Sequence, residues 1–219
     1  MNEEITDRRP LKTRSAKWAS ILALRLVKLG VKPNFISLLS IVFALLSGLS
    51  FGLSALSDSW KKSVFLILGA AFIQLRLLCN MLDGMVAIEG GMKSKTGEIY
   101  NDFPDRIADM VILIGFGYAA NELNFAVELG WLAAILSVLT AYVRYLGTAT
   151  GAGSFFYGPM AKQHRMAVAT ITSLLQGILY FWQESLCVLY AGLVIIVLGC
   201  LVTVLRRIVK IVRVLERMP

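Results

Sequence analysis

Six long apolar runs constrain the fold of this chain more than any other feature. They lie near residues 35–56, 63–82, 107–120, 129–147, 166–183 and 186–205. About 20 apolar residues in a helix cross the hydrocarbon core of a bilayer, and only helices or closed barrels pair every backbone group there. The chain is 57% hydrophobic and 16% charged, which is unusual for a soluble domain of 219 residues. We predict an all-α integral membrane protein with about six transmembrane helices, the third beginning within residues 98–105.

A shorter amphipathic segment precedes the first run. Residues 11–29 mix apolar and basic side chains at near-helical spacing, which predicts an interfacial helix on an anionic leaflet. Gly30 is placed to end that helix and Pro33 to begin the next one. The predicted organisation is a polar tail at 1–10, a membrane domain at 11–205 that includes the interfacial helix, and a basic cytoplasmic extension at 206–219.

The net charge of +8 is distributed by membrane side. Eight Lys and Arg residues precede the first apolar run, five follow the last, and the loops after the second and fourth runs are also basic. The opposite loops carry mainly Asp and Glu. By the positive-inside rule, both termini and the loop at 83–105 are expected in the cytoplasm, as in a bacterial-type inner membrane. This pattern disfavours nucleic acid as a partner, because the basic residues follow the sidedness of a bilayer.

Polar residues collect where the second run ends and the third begins. Asn80 and Asp83 are three residues apart and share a helix face. Asn101, Asp105 and Asp109 recur at four-residue intervals and form a second polar face. Carboxylate and amide oxygens suit Mg²⁺ or Mn²⁺, and such an ion at a lipid boundary indicates phosphoryl chemistry on a lipid-linked phosphate.

This stretch resembles the signature of the CDP-alcohol phosphatidyltransferase family. That signature reads Asp, two residues, Asp-Gly, two residues, Ala-Arg, eight residues, Gly, three residues, Asp, three residues, Asp, and every spacing is present here. Five of the eight signature positions are identical, namely Asp83, Gly84, Ala87, Gly97 and Asp105. The other three positions lose their charge: Asn80 and Asn101 replace Asp, and Ile88 replaces Arg. The sequence from Pro33 to Ser37 also resembles an element that opens the first span in this family.

The resemblance implies an activity and a set of roles. Family enzymes transfer the phosphatidyl group of a CDP-linked lipid such as CDP-diacylglycerol to an alcohol and release CMP, with two divalent ions bound between the aspartates and the pyrophosphate. It implies Asp105 as general base and a metal site for Mg²⁺ or Mn²⁺ formed by Asn80, Asp83, Asn101 and Asp105. The implied pocket for the CDP-linked lipid is formed by Asn34, Ser37, Gly84, Ala87 and Gly97. A homodimer is also typical of the family.

The charge missing from the signature has candidate replacements nearby. Glu98 shares the face of Asn101, and Lys93 or Lys95 could take the place of the arginine at 88. A further basic set, Arg144, Lys162 and Arg165, could bind a phosphorylated acceptor such as glycerol 3-phosphate or an inositol phosphate. The same residues could equally serve only as positive-inside anchors.

Two other functions compete with a transferase. A catalytically silent relative would bind a nucleotide-linked lipid or a partner enzyme, and the uncharged signature positions favour it. A small transporter would need polar residues along the bilayer, but here they collect at one end, with Arg76 the main exception. Because Arg76 lies one turn before Asn80, a contact to a ligand or carboxylate is a reasonable expectation.

Overall fold

The computed structural model describes residues 17–92, 97–181 and 187–218, without the side chains of Ser59, Glu98 and Asn101. In these residues the chain forms seven α-helices and no strand. Their bounds are α1 Lys17–Lys28, α2 Pro33–Ala55, α3 Ser59–Glu89, α4 Gly97–Ala119, α5 Ala126–Ala149, α6 Lys162–Phe181 and α7 Val188–Leu215. The prediction of an all-α membrane protein is confirmed. The polar tail at 1–10, Lys93 and Lys95 lie outside the described residues.

Helices α2 to α7 correspond to the six apolar runs. Within the described part of the chain, four of them are long and apolar enough to cross a membrane by length and composition: α2, α3, α5 and α7. Helices α4 and α6 have 23 and 20 residues, enough to span about 30 Å. Both helices supply residues of the buried ionic cluster that is described below, Asp105 and Asp109 from α4 and Lys162 and Arg165 from α6.

The first helix lies beside α3 instead of crossing the bundle. Ala19 and Ala23 are fully buried in a cluster with residues of α3 such as Val86. Trp18 and Ile21 are each about half exposed, so α1 has a protein-facing side and a second apolar side free to contact lipid. The apolar residues of α1 are therefore divided between two sides, since Leu22 and Leu26 pack on the cluster and Trp18 does not.

The local sequence fixes the turns around α1 and α2. Gly30 has a φ of 71°, and its neighbour Val31 donates its N–H to the carbonyl of Leu26, which ends α1 as predicted. Helix α2 then begins at Pro33, where the missing N–H costs nothing.

Glycine contacts hold α4 between two neighbours. A Cβ on Gly115 would lie 2.8 Å from the Cα of Gly48 in α2, and one on Gly117 would lie 2.7 Å from the Cα of Gly130 in α5. Small residues at helix crossings let backbones approach closely in membranes. These contacts fix the helix that carries Asp105 and Asp109.

Candidate active site

A buried ionic cluster joins α3, α4 and α6. The guanidinium of Arg76 in α3 donates from Nη2 to Oδ1 of Asp105 at 3.0 Å and to Oδ1 of Asp109 at 2.7 Å. Arg76 is fully buried. A charge at this depth is costly unless it is paired, so the two carboxylates of α4 account for the position of Arg76.

Asp109 has a second cationic partner. Nη2 of Arg165 in α6 donates to Oδ2 of Asp109 at 2.7 Å, and both side chains are 1% exposed. Nη1 of Arg165 donates to Oγ1 of Thr140 in α5 and to the carbonyl of Met160. The Asp109 carboxylate thus links helices from three parts of the chain.

Asp105 is surrounded by donors on both carboxylate oxygens. Nδ2 of Asn80 donates to Oδ1 at 2.5 Å, beside the Arg76 contact. The ammonium of Lys162, at the first position of α6, forms an ion pair with Oδ2. The Lys162 side chain is 22% exposed, whereas Asp105 is 6% exposed, so Lys162 approaches from the open side of the cluster.

Asp83 is different, since it has no cationic partner in the described residues. Oγ of Ser37 in α2 donates to its Oδ2 at 2.7 Å. Its Oδ1 is buried and has no hydrogen-bond partner in the described part of the chain. A buried carboxylate oxygen without a donor is costly, which makes this atom a candidate ligand for a cation.

Asp102 and Arg144 form a more exposed pair near the cluster. Nη2 of Arg144 in α5 donates to Oδ2 of Asp102 at 2.6 Å. The Arg144 guanidinium also lies 4.8 Å from the ring centre of Tyr145 and 5.0 Å from that of Phe156. Its stacked position leaves it 19% exposed.

The structure brings only some of the predicted site residues into contact with one another. It brings together Asn80 with Asp105, and Ser37 with Asp83. Asn34 is exposed at the start of α2, Ile88 is half exposed, and Gly84, Ala87 and Gly97 are partly exposed. The side chains of Asn101 and Glu98 are outside the described set. Each member of the basic set predicted for the acceptor is ion-paired with a carboxylate of α4: Arg144 with Asp102, Lys162 with Asp105 and Arg165 with Asp109.

The donor set fits one divalent ion better than two. Asp83 offers a buried carboxylate oxygen that has no hydrogen-bond partner among the residues described, and Asn80 adds a neutral oxygen on the same helix face. Asp105 does not fit a second ion, because Lys162, Arg76 and Asn80 already donate to its two oxygens. Among the described residues, no three His, Cys, Asp or Glu side chains converge to hold a metal.

The fold and this site define a polytopic helical membrane protein with an acidic and basic cluster at one end of the bundle. The family model for CDP-alcohol phosphatidyltransferase matches residues 31–208. The chain belongs to this family, and the predicted enzyme class is confirmed.

Individual relatives agree with the family match. The chain is 27% identical over 159 residues to the inner membrane protein YnbA of Escherichia coli, covering 73% of this chain and 75% of that one. It is 25% identical over 194 residues to the phosphatidylinositol phosphate synthase of Streptomyces avermitilis, covering 86% and 75%. The crystal structure of the Mycobacterium tuberculosis phosphatidylinositol phosphate synthase with CDP-DAG bound has a TM-score of 0.76 at 18% identity, covering 93% and 100%. The same enzyme with manganese and citrate gives 0.75 at 19% identity, covering 92% and 93%, and this likeness shows a shared fold.

Proposed function

We propose that the protein transfers the phosphatidyl group of CDP-diacylglycerol to the hydroxyl of a phosphorylated alcohol and releases CMP. The observation that carries the proposal is that two carboxylates of the site, Asp83 and Asp105, have different surroundings. Asp83 has a buried oxygen without a partner in the part of the chain that the structure describes. Asp105 accepts a hydrogen bond from Asn80, which lies on the helix of Asp83, and it is paired with the cations Arg76 and Lys162. Both occupy signature positions of the family.

Asp105 acts as the general base in this proposal. Its ion pairs with Arg76 and Lys162 keep it ionised and fix its orientation. It takes the proton of the acceptor hydroxyl as that oxygen attacks the lipid-side phosphorus, and the bond from phosphorus to the CMP oxygen breaks. The proton ends on Asp105, and CMP leaves with the electron pair of the broken bond.

Asp83 and Asn80 would hold a divalent ion. When bound, Mg²⁺ or Mn²⁺ supplies positive charge to the pyrophosphate oxygens of the donor. Ser37 in α2 donates a hydrogen bond to Asp83 and orients its carboxylate. Ser37 is also predicted to line the CDP-lipid pocket, so in this proposal the pocket lies beside Asp83. Asn34, Gly84, Ala87 and Gly97 complete the proposed donor pocket, and Asn101 remains a predicted ligand.

Basic residues at the same end support a phosphorylated acceptor. Lys162 and Arg144 are 22% and 19% exposed, so either can contact a ligand. Arg165 is 1% exposed and donates to Asp109, Thr140 and Met160, which makes it a support for the pocket. Arg76 is fully buried as well, so its ion pairs with Asp105 and Asp109 also make it a support for the pocket. The names of the Streptomyces and Mycobacterium relatives favour an inositol phosphate over glycerol 3-phosphate.

The proposed location is an inner membrane of bacterial type with the site and both termini in the cytoplasm. The basic residues before α2 and within Arg206–Arg217 support this orientation. A homodimer remains an expectation from the family.

A silent relative is the second candidate. It is favoured by the three signature positions that have lost charge and by the cations that already neutralise Asp105. Such a protein would bind CDP-diacylglycerol and release no CMP.

The test is CMP release from CDP-diacylglycerol by purified protein, with both acceptors pooled and Mg²⁺ or Mn²⁺ present. We expect release from the wild type and none from Asp83→Ala. Glu122→Gln is the matched control, because it also changes a carboxylate. Glu122 follows the end of α4 at Ala119, which lies about 15 Å along the helix from Asp109. Splitting the pool then identifies the acceptor. Binding of the lipid without any release would favour the silent relative.

A further inference from the structure

The charge of the cluster is balanced by the protein itself. Among the described residues, three carboxylates, Asp83, Asp105 and Asp109, lie with three cations, Arg76, Lys162 and Arg165. Their formal charges sum to zero. Aspartates at positions 80 and 101, as in the signature that the chain resembles, would leave the same set of residues negative, to be neutralised by metal ions.

Electrostatics then limits how many dications the cluster accepts. One divalent ion brings a charge that the pyrophosphate of the donor can neutralise. A second would leave the cluster strongly positive, in a buried position where unbalanced charge is expensive. In this chain, Asn80 and Asn101 carry no charge, and Arg76 and Lys162 pair with Asp105.

The atoms around Asp105 agree with this count. Asn80 presents its amide nitrogen to Asp105, and an amide N–H donates and does not coordinate metal. Lys162 covers the other carboxylate oxygen. A divalent ion at Oδ2 of Asp105 would have to displace the ammonium of Lys162, and one at Oδ1 would compete with the guanidinium of Arg76 and the amide of Asn80.

We infer that Lys162, supported by Arg76, replaces a second divalent ion at Asp105, so that the site binds one divalent ion, at Asp83. The ammonium of Lys162 supplies positive charge beside the base, and its partial exposure lets it reach a phosphate oxygen of the substrate as well. Lys162 is thus a catalytic residue of this chain that the signature does not include. The inference rests on the proposed function for the role of the site, but the number of ions bound is measured without turnover.

The experiment counts Mn²⁺ bound to the purified full-length protein in nanodiscs, from the electron paramagnetic resonance signal of free Mn²⁺ during a titration. We expect one ion in the wild type and a loss of that ion in Asp83→Asn. Asn80→Asp adds a carboxylate but keeps Lys162, so it should still bind one ion. Asn80→Asp combined with Lys162→Met should bind two.

Two ions in the wild type, or two in Asn80→Asp alone, would overturn the inference, as would a count that stays at one in the double variant. If the double variant does not fold, the number of Mn²⁺ ions bound by the wild type alone tests the inference. If the counts are as expected and CMP release is absent, the proposed function and the catalytic role of Lys162 fail, while the inferred ion count stands.

Discussion

Asp109 and Arg165 form an ion pair of 2.7 Å in which both side chains are 1% exposed. Arg76 contacts the same carboxylate from α3 at 2.7 Å. The pair therefore lies at the point where α3, α4 and α6 meet, and it supports Asp105 one turn away on α4.

Removing Arg165 should destabilise the fold. Arg165→Met leaves Asp109 with one partner in a buried position, which costs about 3–5 kcal/mol where one member of a buried pair is lost. Thermal unfolding in detergent would measure the loss. Arg144→Met is the matched control, because the Arg144–Asp102 pair is partly exposed and should contribute about 1 kcal/mol or less. Equal losses in the two variants would contradict a buried supporting role for Arg165.

The base assignment of Asp105 predicts a loss of rate with retained ion binding. Asp105→Asn keeps the shape and removes the proton acceptor, so CMP release should fall about 10²–10⁴-fold. Mn²⁺ binding at Asp83 should remain, since Asp105 is engaged by Arg76 and Lys162 and not by the ion. Full activity in this variant would exclude Asp105 as the base.

The sequence predicted the two faces of the site better than the contacts between them. Helical spacing placed Asn80 with Asp83, and it placed Asp105 on the face that leads to Asp109. It did not pair Lys162 with Asp105, because 57 residues separate them and only helix packing brings them together. A contact of Arg76 to a carboxylate was a reasonable expectation, and the structure supplies two such contacts.

The acceptor residues show a second limit of sequence reasoning. Basic residues at a helix end are the same in sequence whether they bind a ligand, a head group or a carboxylate. The ion pair of Arg144 with Asp102 became visible only in three dimensions, since α4 and α5 must first pack through Gly117 and Gly130.

Ser37 should tune the affinity of the ion site. Ser37→Ala removes the hydrogen bond to Oδ2 of Asp83 and frees that carboxylate to rotate. Loss of a partner that orients a metal ligand typically weakens metal binding about 10–100-fold, and a Mn²⁺ titration would show it. Ser40→Ala is the control, because Ser40 is buried on the same helix but donates only to the backbone of Ser37. An unchanged Mn²⁺ affinity in Ser37→Ala would argue against ion binding at Asp83.

The glycine crossings predict a contrast between two alanine variants. Gly115→Ala places a Cβ 2.6 Å from the carbonyl oxygen of Gly48, so backbones must separate, at about 1–3 kcal/mol. Gly52→Ala meets no atom within 4 Å and should stabilise α2 by about 0.5–1 kcal/mol, since alanine favours helices. Thermal unfolding of both variants measures the contrast. Similar shifts would mean that α4 is not fixed by this crossing.

Glu122 anchors the far end of the bundle and should make stability depend on pH. Partial burial acts to raise the pKa of Glu122, but hydrogen bonds from Lys62 and Tyr180, together with the Lys62 charge, hold that pKa below its ordinary value. A carboxyl group with a lowered folded-state pKa stabilises the fold fully above its unfolded pKa of about 4.3, and this stabilisation is lost as the pH falls through the folded-state pKa.

The comparison is wild type with Glu122→Gln, followed by thermal unfolding from pH 7 to pH 3. Because the Glu122 side chain is 52% exposed, we expect a difference of about 1 kcal/mol or less at pH 7. The two melting temperatures should converge toward pH 3, where the carboxyl group becomes protonated. A difference that grows on acidification would contradict the assignment, because it would mean that the protonated side chain forms the stronger contact with Lys62 and Tyr180.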